Sequence, residues 1–231
     1  MRYEKRQARQ YARENMRGIW AAIMTPFKAN GDIDEPESGL DSALAEALDG
    51  GCRLVQYRDK GAHPRLLLSR AMRFAKACRE AGALFIVNDR LDIALLSGAG
   101  GCHLGQDDLP LPDARRIVNE DFLLGASTHD AAEARKAEAD GADYVGVGAV
   151  YPSTSKGDAT APRGPGLVAE VAAAVAIPAV AISGINRGNV REVIRAGASA
   201  FAVISDLFTG PGIRQRTEEF LRIWKDEKAP R

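Results

Sequence analysis

Short apolar runs alternate with amphipathic stretches along this chain. The runs are near-continuous rather than alternating, which is typical of parallel strands buried on both faces. They predict strands at 19–25, 53–58, 83–88, 102–105, 122–126, 143–148, 178–183 and 199–205. Stretches such as 64–81, 130–140 and 187–197 repeat apolar residues at helical spacing and predict helices between the strands. A strand–helix unit that recurs in this way predicts a parallel sheet closed on itself, a (β/α)8 TIM barrel.

Glycines mark the junctions between predicted helices and the strands that follow them. Glycine past a helix end adopts the left-handed conformation at little steric cost, so these positions are predicted to be turns. They are Gly51, Gly82, Gly101, Gly141 and Gly197. Asp130, followed by Glu133, predicts a helix start with an acidic first turn.

The chain is predicted to form one domain. No linker or low-complexity tract divides it, so residues 18–231 are assigned to the barrel and residues 1–17 to a helical extension packed outside it. A two-half dinucleotide-binding fold is the alternative, but the first strand is not followed by its G-x-G-x-x-G turn.

Charge and cysteine content narrow the class of function. The 31 basic and 31 acidic residues give a net charge of zero, which does not favour a nucleic-acid or membrane-surface partner. No apolar run approaches the roughly 20 residues of a membrane span, and the charged N-terminus does not resemble a secretory signal. The three cysteines are not in C-x-x-C spacing. A cytoplasmic protein acting on small molecules is predicted.

Five of the apolar runs end in polar clusters. In a parallel barrel the loops that follow all the strands converge on one face, where active sites lie. The clusters contain Gln56, Arg58 and Lys60; Asn88 and Asp89; Asp107 and Asp108; Ser127 and Thr128; and Ser153, Thr154, Ser155 and Lys156. Cations, hydroxyls and paired carboxylates on one face suit a phosphorylated substrate with a divalent metal.

Asp89 and Asp108 follow neighbouring strands three and four, so the barrel is expected to place them side by side. Two carboxylates on one face suit Mg²⁺, which takes oxygen ligands and bridges to substrate phosphates. The alternative is structural: Asp89 caps the next helix and Asp108 begins a turn. Asp107, one position away, is the weaker candidate.

Gln56, Arg58 and Lys60 alternate at the end of strand two, so their side chains are expected to point the same way, into the barrel mouth. Arginine offers a bidentate fork and lysine a mobile point charge, and both suit diphosphate oxygens. A solvated strand end is the alternative interpretation.

Further candidates for substrate binding lie after strands six to eight, and three histidines complete the set. Ser153, Thr154, Ser155 and Lys156 form a hydroxyl-rich loop, and Gly184, Ile204 and Ser205 lie where barrels bind phosphate between the last two loops. His63 and His103 are interpreted as structural. His129 is an acid–base candidate, although the local sequence places no acidic partner beside it.

Taken in order, these motifs resemble the thiamine-phosphate synthase family. The resemblance covers about residues 40–208 and rests on LVQYRDK, IVNDR, CHLGQDDLP, LLGASTHD, GADYVGVGAVYPSTSK and IPAVAISGINRGNV with AVISDLF. It implies a (β/α)8 barrel that joins hydroxymethylpyrimidine diphosphate to thiazole phosphate, or to its carboxylated form. It also implies a dissociative reaction, in which diphosphate leaves before the thiazole nitrogen attacks.

The resemblance also assigns residues. Gln56, Arg58, Lys60 and Asn88 match the pyrimidine diphosphate site, and Asp89 and Asp108 match the Mg²⁺ ligands. Ser127 and Lys156 match residues that contact the departing diphosphate and, with Arg58 and Lys60, form the implied catalytic set. Ser153, Thr154, Ser155, Gly184, Ile204 and Ser205 match the thiazole-phosphate side.

The chain departs from the family pattern in places. Ser153 and Ser155 replace the usual threonines, and Ser183–Gly184 replaces a glycine pair. Residues 18–35 look more like the opening of dihydrodipicolinate-synthase aldolases, but strand six has no Schiff-base lysine. A thiazole tautomerase and a catalytically silent phosphate-binding barrel are the competing functions, and whether the chain forms a homo-oligomer is left open.

Overall fold

A computed structural model describes residues 18–24, 37–153, 161–208 and 211–229. The strands are β1 Gly18–Met24, β2 Leu54–Arg58, β3 Leu84–Asn88, β4 Gly101–Leu104, β5 Leu123–Thr128, β6 Tyr144–Val147, β7 Ala179–Ala181 and β8 Ala200–Val203. The helices are α1 Glu37–Asp49, α2 Pro64–Glu80, α3 Leu91–Ser97, α4 Leu111–Ile117, α5 Ala131–Ala139, α6 Pro165–Ala174, α7 Val190–Arg195, α8 Ser205–Phe208 and α9 Ile213–Lys228. The predicted extension, residues 1–17, lies outside the described residues.

The strands form a closed parallel barrel in chain order, β1 through β8. The barrel closes where β1 pairs with β8, with Gly18 opposite Ala200. This confirms the predicted (β/α)8 architecture. In the described part of the chain, no helix is both long enough and apolar enough to cross a bilayer.

Two apolar layers hold the barrel together. The larger lies between the strands and the surrounding helices and includes Phe74, Val87 and Phe201, each with no exposed surface. The smaller fills the lower barrel interior with Leu54, Ile86, Leu123, Val180 and Ala200, packed around Tyr144. Alternate residues of each strand therefore face opposite layers, and strand residues above this inner layer face the barrel mouth.

Four of the five predicted glycine turns are confirmed. Their φ angles are positive: 94° at Gly51, 66° at Gly82, 98° at Gly141 and 99° at Gly197. The prediction for Gly101 was wrong. That residue begins β4, where an added Cβ would lie 2.5 Å from the Leu123 carbonyl oxygen, so close strand approach explains the glycine.

The helix ends near the site follow simple capping rules. Gly98, with a φ of 73°, ends α3 in the role that had been predicted for Gly101. The predicted start of α5 is confirmed, because the Asp130 carboxylate accepts a 2.8 Å hydrogen bond from the Glu133 backbone N–H. This bond satisfies a helix-terminal donor.

Two interior glycines make room for larger side chains. A Cβ at Gly125 would overlap the Tyr144 phenol ring, and one at Gly146 would lie 2.9 Å from the His103 imidazole. We expect Gly125→Ala to destabilise the fold by about 1–3 kcal/mol, the usual cost of overpacking. Chemical denaturation measures this, and Gly166→Ala on α6 is the control, because nothing lies within 4 Å of its added Cβ. Equal stability of the two variants would contradict the packing described here.

Candidate active site

The end of β2 presents its polar side chains as the alternation predicted. Gln56 and Arg58 are half-buried, Lys60 is exposed, and the intervening Tyr57 and Asp59 are buried. The electrostatic effect of both Arg58 and Lys60 reaches Asp89, the residue that follows β3. The cations of β2 and the carboxylate after β3 therefore occupy the same part of the barrel mouth.

Asp59, which lies between Arg58 and Lys60, holds the loop after β2 from the outside of the barrel. Its buried carboxylate accepts four hydrogen bonds, from Tyr57 Oη at 3.2 Å, Gly61 N at 3.1 Å, Ala62 N at 3.0 Å and Arg70 Nη1 at 3.1 Å. Both members of the Asp59–Arg70 ion pair are almost fully buried. Sequence reasoning did not assign Asp59 a role.

Asp89 and Asp108 meet at the mouth, as their strand positions predicted. Their carboxyl groups are within hydrogen-bonding reach of each other, and Arg58 Nε lies 3.7 Å from Asp89 Oδ2. Asp89 also accepts a hydrogen bond from the Asn88 side-chain amide. Asp108 Oδ2 accepts a 2.6 Å hydrogen bond from Gly105 N, which fixes the loop after β4.

The capping alternative for Asp89 is wrong. Helix α3 begins at Leu91, and its N-cap is Arg90, which makes no side-chain capping bond. Asp89 instead has a φ of 66°, a left-handed conformation that is uncommon outside glycine and costs conformational energy. The alternative for Asp108 holds in part, because its carboxylate closes the turn from Gly105 while it also faces Asp89.

Burial, followed by the neighbouring Asp108 carboxylate, raises the pKa of Asp89 to about 6. Arg58 and Lys60 oppose this rise without cancelling it. Two carboxylates held together in this way repel each other, and a bound cation would relieve the repulsion. The site thus has an electrostatic demand that Mg²⁺ would meet.

The donor set fits a magnesium ion that completes its coordination with water and substrate oxygens. In the described residues, no group of three or more His, Cys, Asp or Glu side chains could hold a metal. Mg²⁺ is commonly bound through one or two carboxylates plus substrate phosphates, as the Asp89–Asp108 pair allows.

Ser127 lies near the end of β5 and is held from below by a histidine. His103 Nε2 is 3.0 Å from Ser127 Oγ, and His103 Nδ1 is 3.0 Å from Tyr144 Oη. The Tyr144 phenol also has a side-chain hydrogen bond with Gln56. The sequence interpretation of His103 as merely structural missed this contact with a candidate catalytic hydroxyl.

His129 has an acidic partner that the sequence argument overlooked. Its Nδ1 is 2.9 Å from Glu133 Oε2, and the same oxygen accepts a 2.8 Å hydrogen bond from the His129 backbone N–H. Spacing of four residues at a helix start was the available signal. Arg163 binds the His129 carbonyl oxygen at 2.7 Å and joins this loop to the segment before α6.

The loops after β7 and β8 form the opposite side of the mouth. Gly184, with a φ of 66°, packs so closely on Tyr151 and Pro152 that a side chain does not fit. Ile204 and Ser205 lie at the junction of β8 and α8, and Arg187 joins the two loops through Asp206, with Nη2 3.0 Å from Oδ1.

Ser183 occupies a position where the family pattern has glycine. Its φ is 81°, and its hydroxyl donates a 3.0 Å hydrogen bond to the Tyr151 carbonyl oxygen. The side chain therefore binds the loop after β6. Ser153 is half-buried at the start of that loop, whereas Thr154, Ser155 and Lys156 lie outside the described residues.

Comparison with known proteins agrees with this arrangement. A family model described as thiamine monophosphate synthase matches residues 23–207. The chain belongs to the thiamine monophosphate synthase family. Within this family, a thiamine-phosphate synthase from Shouchella clausii is 41% identical over 88% of the chain and 99% of its own length. One from Methanospirillum hungatei is 46% identical over 76% of the chain and 85% of its own length.

Solved structures of similar fold cover nearly the whole chain. Thiamine phosphate pyrophosphorylase from Pyrococcus furiosus has a TM-score of 0.81 and 33% identity, covering 94% of this chain and 99% of that one. Dihydrodipicolinate synthase from Oceanobacillus iheyensis has a TM-score of 0.59 at 16% identity and shares the fold alone. Strand β6, Tyr144–Val147, contains no lysine, so the aldolase alternative has no Schiff-base residue there.

Proposed function

We propose that the chain is a thiamine-phosphate synthase, a transferase that joins hydroxymethylpyrimidine diphosphate to thiazole phosphate and releases diphosphate. The observation that carries the proposal is the meeting of Arg58 and Lys60 with the Asp89–Asp108 pair at one barrel mouth. Cations beside paired carboxylates suit a metal-bound diphosphate. Membership of the family supports the same chemistry.

In this proposal each residue around the diphosphate has a distinct role. Arg58 and Lys60 bind its oxygens, Asn88 helps to hold it, and Lys156 contacts it as it departs. Asp89 and Asp108 would hold Mg²⁺, which when bound would neutralise charge on the diphosphate. Ser127 donates a hydrogen bond to the leaving group, and this bond strengthens as charge develops there.

The organic parts of the two substrates occupy the rest of the mouth. Gln56 faces the pyrimidine, while Ser153, Thr154, Ser155, Gly184, Ile204 and Ser205 bind thiazole phosphate or its carboxylated form. The carbon–oxygen bond to diphosphate breaks first and leaves a pyrimidine-methyl cation, and the thiazole nitrogen supplies the electron pair of the new bond. No covalent enzyme intermediate is required. Formation of thiamine phosphate from the two substrates, with and without Mg²⁺, tests the proposal.

Diphosphate binding separates this function from its competitors. We expect inorganic diphosphate with Mg²⁺ to raise the melting temperature of the wild-type protein, because a ligand selective for the folded state stabilises it. Arg58→Ala and Lys60→Ala should each lose most of that shift. Differential scanning fluorimetry measures it, with thiazole phosphate alone as a ligand that both variants still bind.

Lys76→Ala is the matched control for charge removal. Lys76 is an exposed residue of α2 whose Nζ lies 3.9 Å from the Glu80 carboxylate, and it is not among the residues assigned to the mouth. This variant should keep the full diphosphate shift. Absence of any shift in the wild-type protein at millimolar diphosphate would instead favour a thiazole tautomerase or a silent phosphate-binding barrel.

A further inference from the structure

The barrel interior beneath the mouth contains a buried chain of hydrogen-bonding side chains. His103 is 6% exposed and lies between the Tyr144 phenol and the Ser127 hydroxyl, at 3.0 Å from each. This series of hydrogen bonds continues from Tyr144 to Gln56. It runs from β2 through β6 and β4 to β5, and its upper end is the hydroxyl at the mouth.

The surrounding backbone is shaped to hold this chain. Gly125 lies opposite both His103 and Tyr144 in the strand register, and Gly146 lies opposite Ser127. Side chains at these glycines would collide with the Tyr144 and His103 rings. The ring centroids are 5.4 Å apart with a tilt of 34°. The interior is therefore packed around one arrangement of the two rings.

The direction of each hydrogen bond follows from counting protons. Full burial raises the pKa of Tyr144 well above its usual value, so the phenol keeps its single proton. The side-chain hydrogen bond with Gln56 opposes that rise without cancelling it. A protonated phenol donates to a ring nitrogen that carries no proton, and His103 Nδ1, 3.0 Å from Tyr144 Oη, is placed to accept.

The same reasoning determines the tautomer of His103 and the direction of its hydrogen bond with Ser127. A neutral imidazole that accepts at Nδ1 carries its proton on Nε2, and this proton is donated to Ser127 Oγ. The Ser127 hydroxyl already accepts from below, so its own proton is available to an acceptor at the mouth. The opposite tautomer would draw the Ser127 proton toward histidine and remove that donor.

We propose that His103 and Tyr144 are positioning residues that act through Ser127, by fixing the Nε2–H tautomer of His103 so that the Ser127 hydroxyl donates to the diphosphate leaving group. This inference rests on the proposed function. The role is one of orientation: no proton is transferred along the chain and no bond to Ser127 forms.

The tautomer can be measured without substrate. In protein labelled with ¹⁵N-histidine, long-range nitrogen–proton NMR correlations distinguish Nδ1–H, Nε2–H and the doubly protonated ring. The protein has three histidines. The His103 signal is identified as the one that disappears in the His103→Gln variant. A neutral Nε2–H ring at His103 supports the inference, whereas an Nδ1–H or doubly protonated ring overturns it. This holds even if the wild-type protein makes no thiamine phosphate, an outcome that refutes the proposed function alone.

A double-mutant cycle tests whether the effect passes through Ser127. Tyr144→Phe should slow bond breaking about tenfold in single-turnover measurements, the kinetic equivalent of one hydrogen bond, with substrate KM unchanged. In a Ser127→Ala background, the same substitution should cost less than about twofold. A full tenfold cost in that background means that Tyr144 acts independently of Ser127 and overturns the inference. If the Tyr144→Phe variant does not fold, His103→Gln takes its place in the cycle with the same expectations.

Discussion

Asp108→Asn is expected to lower turnover at saturating substrate by about 10³-fold, because a charge stabilisation of several kcal/mol from the metal is lost. The substitution keeps the size of the side chain but removes one of the two charges that meet at the mouth. Asn can still accept the hydrogen bond from Gly105 N, so the loop after β4 is expected to remain in place.

Steady-state rates over a range of Mg²⁺ concentrations measure this effect. Asp107→Asn is the matched control, since Asp107 is an exposed neighbour and loses the same charge from the same loop. It should retain turnover close to that of the wild-type protein. If Asp108→Asn kept a near-wild-type rate at low Mg²⁺, the assignment of this residue to the metal would fail.

The same substitution should act in the opposite sense on the stability of the metal-free protein. Folded protein holds the Asp89 proton up to about pH 6, whereas the unfolded chain releases it near 3.8, so this carboxyl makes folding stability fall as pH rises through that window. Removing the Asp108 charge removes a cause of the raised pKa. Above pH 6, metal-free Asp108→Asn should therefore melt at a higher temperature than the wild-type protein, and a lower melting temperature would contradict the repulsion described here.

Ser127→Ala is the second substitution with a large expected effect. A hydrogen bond that strengthens as the leaving oxygen gains charge acts mainly on the transition state, and its loss costs roughly 10²–10³ in rate. Substrate binding should change much less. Rapid-quench single-turnover measurement separates bond breaking from binding and release.

Thr128→Val provides the neighbouring control. The Thr128 hydroxyl donates a 3.2 Å hydrogen bond to the Gly146 carbonyl oxygen and is buried in the wall of the barrel. Its loss should cost about 1 kcal/mol of stability and leave the chemical step unchanged. An unaltered bond-breaking rate in Ser127→Ala, together with weaker diphosphate affinity, would limit Ser127 to binding.

The repeating pattern was enough to predict the barrel, because each strand buried on both faces is a continuous apolar run. The run at 143–148 corresponds to β6 Tyr144–Val147, for example, and the helix predicted at 64–81 corresponds to α2 Pro64–Glu80. Alternation at the end of β2 correctly separated Gln56 and Arg58 from the buried Tyr57. These features depend on local periodicity, which a sequence displays directly.

Contacts between distant strands could not be predicted in the same way. His103 and Tyr144 are 41 residues apart, and nothing near either residue indicates the other as a partner. The interior glycines Gly125 and Gly146 carry no signal of the rings that they accommodate. The left-handed backbone of Asp89 was likewise not predicted, because residue type alone does not specify it.

Asp59 has a consequence for the thermodynamics of substrate capture. Its carboxylate accepts hydrogen bonds from the backbone N–H groups of Gly61 and Ala62, directly after Lys60, and from Arg70 of α2. The backbone carrying both cations is thus ordered before any anion arrives, so association does not include the entropy loss of folding a loop. Calorimetry of diphosphate binding should accordingly show a heat-capacity change too small for coupled ordering of this segment. Asp59→Asn should weaken diphosphate binding, although its side chain lies outside the barrel mouth. Part of the loss should appear as a less favourable entropy of binding.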